Sequence, residues 1–125
     1  MADYLVTYDF KVGAPSQYKE FVECAEIEGL VYVYDLGDEL ARLTNTTIWG
    51  VFPDKKAAKA AFERAQTSAE KNLGRKIVLE KRVITQMADV FVRSDIKKPR
   101  DARWTKSTKF ETCRAHQKND PFFAY

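Results

Sequence analysis

The chain has 125 residues, of which 45% are hydrophobic and 31% charged, and its formal net charge is +3. A chain of this length ordinarily forms one domain around one core, and the composition excludes the disordered class of proteins. The N-terminus lacks the basic residues and apolar run of a signal peptide, and no apolar stretch approaches the roughly 18 residues of a membrane helix. We therefore expect a soluble, cytoplasmic protein without a membrane partner.

The chain contains two cysteines and one histidine, and their positions exclude several kinds of site. Cys24 and Cys113 are far apart and show no Cys-x-x-Cys spacing, so the sequence supports neither a disulfide framework nor a zinc site. His116 lies in a region without a clear element. A His-dependent hydrolase would have to use this residue, so that class of enzyme is disfavoured. There is also no glycine-rich phosphate loop, which disfavours nucleotide-binding proteins.

The first half of the chain alternates between strand and helix patterns. Residues 4–10 place aromatic and apolar side chains at every second position, which predicts a strand. Residues 16–29 carry apolar side chains at spacings of three and four and end in a glycine, which predicts a helix. β-branched and aromatic residues predict further strands at 30–34 and 46–52.

The second half begins with the clearest helix of the sequence. An alanine-rich apolar stripe predicts a helix over 55–73, with Gly74 as its stop. Alternating apolar residues predict a strand over 75–85, and a short fifth strand is expected at 90–92. The signal is weak at 39–45 and again beyond residue 93.

The element order β-α-β-β-α-β predicts a ferredoxin-like α+β domain over residues 1–93, with two helices on one face of an antiparallel sheet. Residues 94–125 then form a C-terminal extension. The strands carry apolar side chains on both faces, so the second face needs a cover. Either the extension or a second copy of the chain could supply it, and we predict a homodimer.

The first strand ends in an acidic residue, within the sequence Tyr-Leu-Val-Thr-Tyr-Asp-Phe that closes with Asp9 and Phe10. Such a strand at the start of a βαββαβ domain resembles the superfamily of small ferredoxin-fold proteins that includes the CRISPR-associated "Cas two" proteins and the VapD ribonuclease toxins. The resemblance implies a symmetric dimer whose two Asp9 carboxylates face each other and hold Mg²⁺, an ion that prefers oxygen ligands. Asp9 is thus the candidate catalytic and metal-binding residue. The alternative is an ordinary strand-end acid that caps a turn or pairs with a lysine.

The extension carries the positive charge of the chain, since its net charge is +4 while residues 1–93 have a net charge of −1. Basic side chains neutralise phosphates and aromatic rings stack on unpaired bases, so this mixture predicts an RNA or DNA interface. Alternatively, the extension wraps its own domain and uses Trp104 and Phe110 as packing anchors. The candidate nucleic-acid-binding residues are Lys97, Lys98, Arg100, Arg103, Trp104, Lys106 and Lys109.

Two functional hypotheses follow. The first is a dimeric nucleic-acid-binding protein that acts as a metal-dependent endonuclease or ribonuclease through Asp9. The second is a non-enzymatic module that binds a protein partner through the extension, such as a phage- or plasmid-borne inhibitor of CRISPR systems or an assembly factor. The aromatic cluster at residues 122–125 is predicted to be docked, whether in the chain's own core, in a second copy or in another protein.

Overall fold

The computed structural model describes residues 1–121. The aromatic cluster at 122–125 lies outside the described residues. The secondary structure of the described part confirms the α+β class. In chain order its elements are β1 (Ala2–Phe10), α1 (Gln17–Ile27), β2 (Val33–Asp35), β3 (Glu39–Arg42), β4 (Thr47–Phe52), α2 (Lys55–Leu73), β5 (Leu79–Gln86), β6 (Lys97–Pro99), a 3₁₀ turn (Ala102–Trp104) and α3 (Lys109–Asn119).

The first sheet is antiparallel and has the strand order β4-β1-β5. Val6 in the central strand lies opposite Ile48 of β4 and Ile84 of β5. Because side chains alternate across a strand, Val6 and its even-numbered neighbours face one side, which we call the inner face. Leu5 and the other odd-numbered residues of β1 face the other side, which we call the outer face.

Helices α1 and α2 pack against each other and cover the inner face. The ring of Phe21 in α1 lies 4.7 Å from that of Phe62 in α2, measured between centroids, and the Tyr8 ring of β1 lies 5.0 Å and 5.4 Å from these two rings. All three side chains are buried. The apolar stripe that the sequence predicts in α2 is buried at Ala58, Phe62, Ala65 and Ala69, and Ala61 is buried beside it.

The second sheet is also antiparallel, with the order β2-β3-β6. Ala41 of β3 lies opposite Tyr34 on one side and Lys97 on the other, so the extension supplies the third strand. An isolated bridge between Val31 and Trp49 connects this part of the chain to β4. Within the predicted strand at 30–34, Val31 therefore pairs with the first sheet, whereas Val33 and Tyr34 pair with the second.

Part of the outer face is covered by the extension itself. Trp49 projects from β4 opposite Leu5 and is fully buried. Its indole Nε1 donates a hydrogen bond of 2.7 Å to the carbonyl of Val33, and the Phe110 ring of α3 lies 5.4 Å from the indole ring. One of the two covers expected from the sequence, the extension, thus packs on the β4 side of the outer face.

The predicted strand at 90–92 is wrong. The backbone leaves the first sheet just after Met87 donates a hydrogen bond of 2.8 Å to the carbonyl of Asp3. Residues 90–92 then have no neighbouring strand in the described part of the chain, and Phe91 is 91% exposed. A short apolar run has the composition of a strand, but a strand also needs a partner for its backbone groups.

None of the helices within residues 1–121 combines the length and the apolar character needed to cross a bilayer.

Gly50 offers a test of how closely β4 approaches the end of α1. A Cβ atom at this position would overlap the carbonyl group of Gly29 and the ring of Phe52. We expect Gly50→Ala to lower the free energy of unfolding by about 1 to 3 kcal/mol, as overpacking of a core does. Urea denaturation would measure this change.

Gly13→Ala is the matched control, because the atoms nearest to its added methyl belong to the side-chain amide of Gln17 and not to the backbone. We expect a smaller loss of stability there. If Gly50→Ala were as stable as the unaltered chain, the close contact between β4 and Gly29 would be contradicted.

Candidate nucleic-acid interface

The start of α3 is fixed by two threonine hydroxyls. The side chain of Thr108 caps the helix by accepting a hydrogen bond from the N–H of Glu111, at 3.2 Å. The hydroxyl of Thr112 accepts from the N–H of Lys106 at 2.8 Å and donates to its carbonyl at 3.3 Å. The loop before α3 is therefore held against the first turn of the helix, with Lys106 exposed at its beginning.

A surface cleft of about 370 Å³ opens between this loop and the turn that connects β2 to β3. We call it the basic cleft, because three cationic side chains line it together with one carboxylate. Serine and threonine hydroxyls stand beside them. Its lining residues are Asp35, Leu36, Gly37, Arg100, Lys106, Ser107, Thr108, Lys109 and Thr112.

Two of the three cations are held in place by groups of the β2–β3 hairpin. Arg100 donates to the buried carboxylate of Asp35 at 2.7 Å and to the carbonyl of Gly37 at 2.8 Å. The Lys109 ammonium lies 3.9 Å from the centre of the Tyr34 ring, which is the geometry of a cation–π contact. The cleft thus presents fixed positive groups, and the Asp35 carboxylate offsets one of them.

The other predicted basic residues do not line this cleft, and each forms an ion pair. Lys97 lies 3.6 Å from Glu39, and Lys98 lies 2.9 Å from Asp120. Arg103 contacts Asp101 at 2.8 Å and also lies over the ring of Trp104 at 4.7 Å. The structure therefore brings Arg100, Lys106 and Lys109 together and leaves Lys97, Lys98, Arg103 and Trp104 outside the cleft.

The two aromatic residues that the sequence singles out in the extension contact other parts of the chain. Phe110 is buried against Trp49, so it packs as an anchor. Trp104 is half-buried, and its ring meets the ring of His116 edge-on at 5.5 Å. The Phe110 contact is of the kind expected if the extension wraps its own domain, whereas the Trp104 contact lies within the extension.

Asp9 lies on the outer face at the end of β1, with its side chain 51% exposed. Its carboxylate is 3.8 Å from the ammonium of Lys81 on the neighbouring strand β5. Within residues 1–121 no three Asp, Glu, His or Cys side chains are placed to hold a metal ion. One carboxylate beside an ammonium does not fit Mg²⁺, which takes several oxygen ligands. A magnesium site at Asp9 would need a second chain.

Both cysteines are free and buried. Burial raises the pKa of the Cys113 thiol to about 12 and also raises the pKa of Cys24. Since the thiolate is the reactive form, neither side chain is suited to nucleophilic chemistry near neutral pH.

Sequence reasoning missed the hydroxyls of the cleft and its acidic residue. The pattern Thr108-Lys109-Phe110-Glu111 is a capping sequence, with Thr at the cap and Glu three residues later, and it could have located the start of α3. No local pattern could have placed Asp35 beside Arg100, because 65 residues separate them.

Arg103 and Asp101 give a testable pH dependence. Hydrogen bonds from Arg103 lower the pKa of the Asp101 carboxyl to about 2 from its ordinary value of 3.8. A lowered pKa means that the ionised carboxylate is favoured in the folded state, so its stabilising effect is complete above about pH 4 and is lost as the pH falls toward 2. Arg103→Ala is expected to raise the pKa of Asp101 toward its ordinary value, as measured by carboxyl-detected NMR.

Arg93→Ala provides the control, because it removes an exposed guanidinium that pairs instead with Asp95. This variant should leave the pKa of Asp101 unchanged. An Asp101 pKa that stays near 2 in Arg103→Ala would show that another group lowers it.

Comparison of the chain with protein-family models, with curated proteins and with solved structures found no match. The chemistry of the basic cleft and of Asp9 is therefore the basis on which a function can be inferred.

Proposed function

We propose that the protein binds RNA or single-stranded DNA through the basic cleft. The observation that carries this proposal is the convergence of Arg100, Lys106 and Lys109 around one open cleft. The hydroxyls of Ser107 and Thr108 line the same cleft. Cations together with hydroxyl donors are the groups that contact phosphate oxygens in nucleic-acid complexes.

The electrostatics of the cleft suit a phosphate backbone. Three cations and the Asp35 carboxylate leave a net charge of +2 at the lining. Asp35 and Gly37 already orient the guanidinium of Arg100, so little side-chain freedom is lost when it meets an anion. Lys106 is exposed and free to adjust its position. Binding would release counterions from the phosphates and would weaken as the salt concentration rises.

The basic cleft is held in place by the fold. We infer that the first sheet of this fold is ferredoxin-like. The order β4-β1-β5, with the Val31–Trp49 bridge placing the segment after α1 beside β4, supports that inference. In this interpretation β3, β6 and α3 are additions to the ferredoxin-like unit. The basic cleft is built from those additions and from the end of β2.

We also propose a homodimer that uses the uncovered part of the outer face. Val83 of β5 lies opposite Thr7 on this face and is 61% exposed, in contrast to the covered Trp49. A second copy that covered Val83 would also lie close to Asp9, which is on the same face. Only such a pairing could bring two Asp9 carboxylates together for a shared Mg²⁺ ion and for nuclease activity.

The alternative function, a module that binds a protein partner, makes a different prediction about nucleic acid. The ion pair of Lys97 with Glu39, the pairing of β6 with β3 and the contact of Phe110 with Trp49 show that the extension is folded onto its own domain. A partner would then recognise a folded surface and not a free tail. Absence of RNA and DNA binding at low salt would favour this module over the first proposal.

The double variant Lys106→Ala/Lys109→Ala tests the cleft. We expect it to bind single-stranded RNA more weakly and to reduce the slope of log K against log salt by about 1.4, because each lost phosphate contact on a single strand removes about 0.7. Fluorescence anisotropy with a labelled oligonucleotide at several salt concentrations would measure both effects.

Lys55→Ala/Lys56→Ala is the matched control, since it removes the same charge from the exposed start of α2. This control should keep the affinity and most of the salt slope of the unaltered chain. An equal loss in both double variants would mean that net charge, and not the cleft, determines binding.

The dimer is tested by sedimentation. If the outer face is the dimer interface, Val83→Asp should shift the chain from dimer to monomer in analytical ultracentrifugation, because it would bury a carboxylate without a partner. Phe91→Ser, at an exposed position outside the strands, should have a smaller effect.

Asp9→Asn tests the catalytic part separately. It should abolish any Mg²⁺-dependent cleavage while leaving RNA binding at the cleft intact. A chain that is monomeric at all concentrations, or cleavage that survives Asp9→Asn, would remove Asp9 from the mechanism.

A further inference from the structure

His116 is a buried side chain of α3 whose two ring nitrogens are both engaged. The side chain is 4% exposed. Its Nδ1 lies 2.8 Å from the carbonyl oxygen of Thr112, and its Nε2 lies 3.0 Å from the backbone nitrogen of Asp101. A carbonyl can only accept and an N–H can only donate. This geometry therefore requires the neutral imidazole, with its proton on Nδ1.

The partner of Nε2 belongs to a turn that is closed by its own hydrogen bonds. The carboxylate of Asp101 accepts from the N–H of Arg103 at 2.8 Å, and the hydroxyl of Thr105 donates to the carbonyl of Asp101 at 2.9 Å. Trp104 projects from the same turn onto the imidazole ring. Residues 101–105 are thus a small folded unit that meets α3 at His116.

We propose that protonation of His116 releases the 101–105 turn from α3, so that this contact is a pH-sensitive switch. The imidazolium has two N–H donors and no acceptor. Its Nε2–H would point at the N–H of Asp101, and a buried donor would lose its partner. Opening the turn gives both N–H groups access to water.

The carboxylate of Asp101 interacts electrostatically with His116, but Arg103 already engages it at 2.8 Å. Two acidic residues flank these elements, Asp101 at the start of the turn and Asp120 at the end of α3. Arg103 already neutralises the first and Lys98 the second. On the side of the second sheet, Arg100 is paired with Asp35. The imidazolium would therefore meet balanced ion pairs and not an unpaired carboxylate.

The direction of the pH effect follows from these contacts. The closed turn requires the neutral ring, whereas the open turn allows the ring to bind a proton. The closed population therefore decreases as the pH falls and the ring gains a second proton.

The switch stands independently of nucleic-acid binding, but it has a consequence for the basic cleft if the proposed function holds. Arg100 immediately precedes Asp101 in the chain and lines the cleft. Release of the turn would free the backbone next to this guanidinium.

NMR of the full ¹⁵N-labelled chain between about pH 8 and 5 tests the switch, because that range spans the titration of an imidazole. At the upper end the His116 ring should show the tautomer protonated on Nδ1. As the ring gains its second proton, the exchange protection of the Asp101 amide should fall about tenfold, the scale of one lost hydrogen bond. The indole signal of Trp104 should change with the same midpoint.

His116→Gln is the matched variant, because an amide side chain offers a donor and an acceptor but does not titrate. It should remove the pH dependence at Asp101 and Trp104. Persistence of that dependence in His116→Gln would overturn the proposal. If this variant does not fold, the unaltered chain still decides the question: a ring that stays neutral at pH 5, or one that gains a proton while Asp101 and Trp104 are unchanged, overturns it. None of these signals depends on RNA, so failure of the switch is distinguishable from failure of the proposed function.

Discussion

The burial of Trp49 is the constraint on which the rest of the architecture depends. Its indole projects from the first sheet, donates a hydrogen bond to the carbonyl of Val33 in the second sheet, and packs against the rings of Tyr34 and Phe110. A tryptophan left on an open sheet face would expose a large apolar surface. Because the second sheet and α3 enclose it, these elements have a fixed position relative to β4, and the basic cleft is formed where they meet.

The sequence predicts well those elements in which apolar residues repeat with the period of a strand or a helix. β1 alternates at every second residue, and α2 combines an alanine stripe with Asp54 and Gly74 as caps. β3 and β6 lack such a signal because they are short. They are stabilised by pairing, β6 with β3 and β3 also with β2. β3 even contains a buried arginine, Arg42, whose guanidinium donates to the carbonyl of Leu43 and lies over the ring of Tyr32. Burial of that kind depends on tertiary contacts that no local pattern encodes.

The candidate site was predictable in its charge but not in its geometry. The excess of lysine and arginine after residue 93 is visible in the sequence, and the three cations that line the cleft are among the basic residues predicted there. The sequence could not show which of the others would be neutralised, since Glu39 lies 58 residues before Lys97 in the chain and Asp120 lies 22 residues after Lys98. Charge counts describe a segment, whereas ion pairs depend on the fold.

The extension also affects the order in which the protein can fold during synthesis. β6 and α3 are made after every strand of the first sheet, yet they complete the second sheet and the enclosure of Trp49. A nascent chain that has reached β5 can assemble β4-β1-β5 with its two helices, but the indole then still lacks Phe110. Such an intermediate exposes apolar surface and the unpaired edge of β3, the features that chaperones recognise and that favour aggregation. The segment synthesised after β5 is thus the one that ends this vulnerable interval.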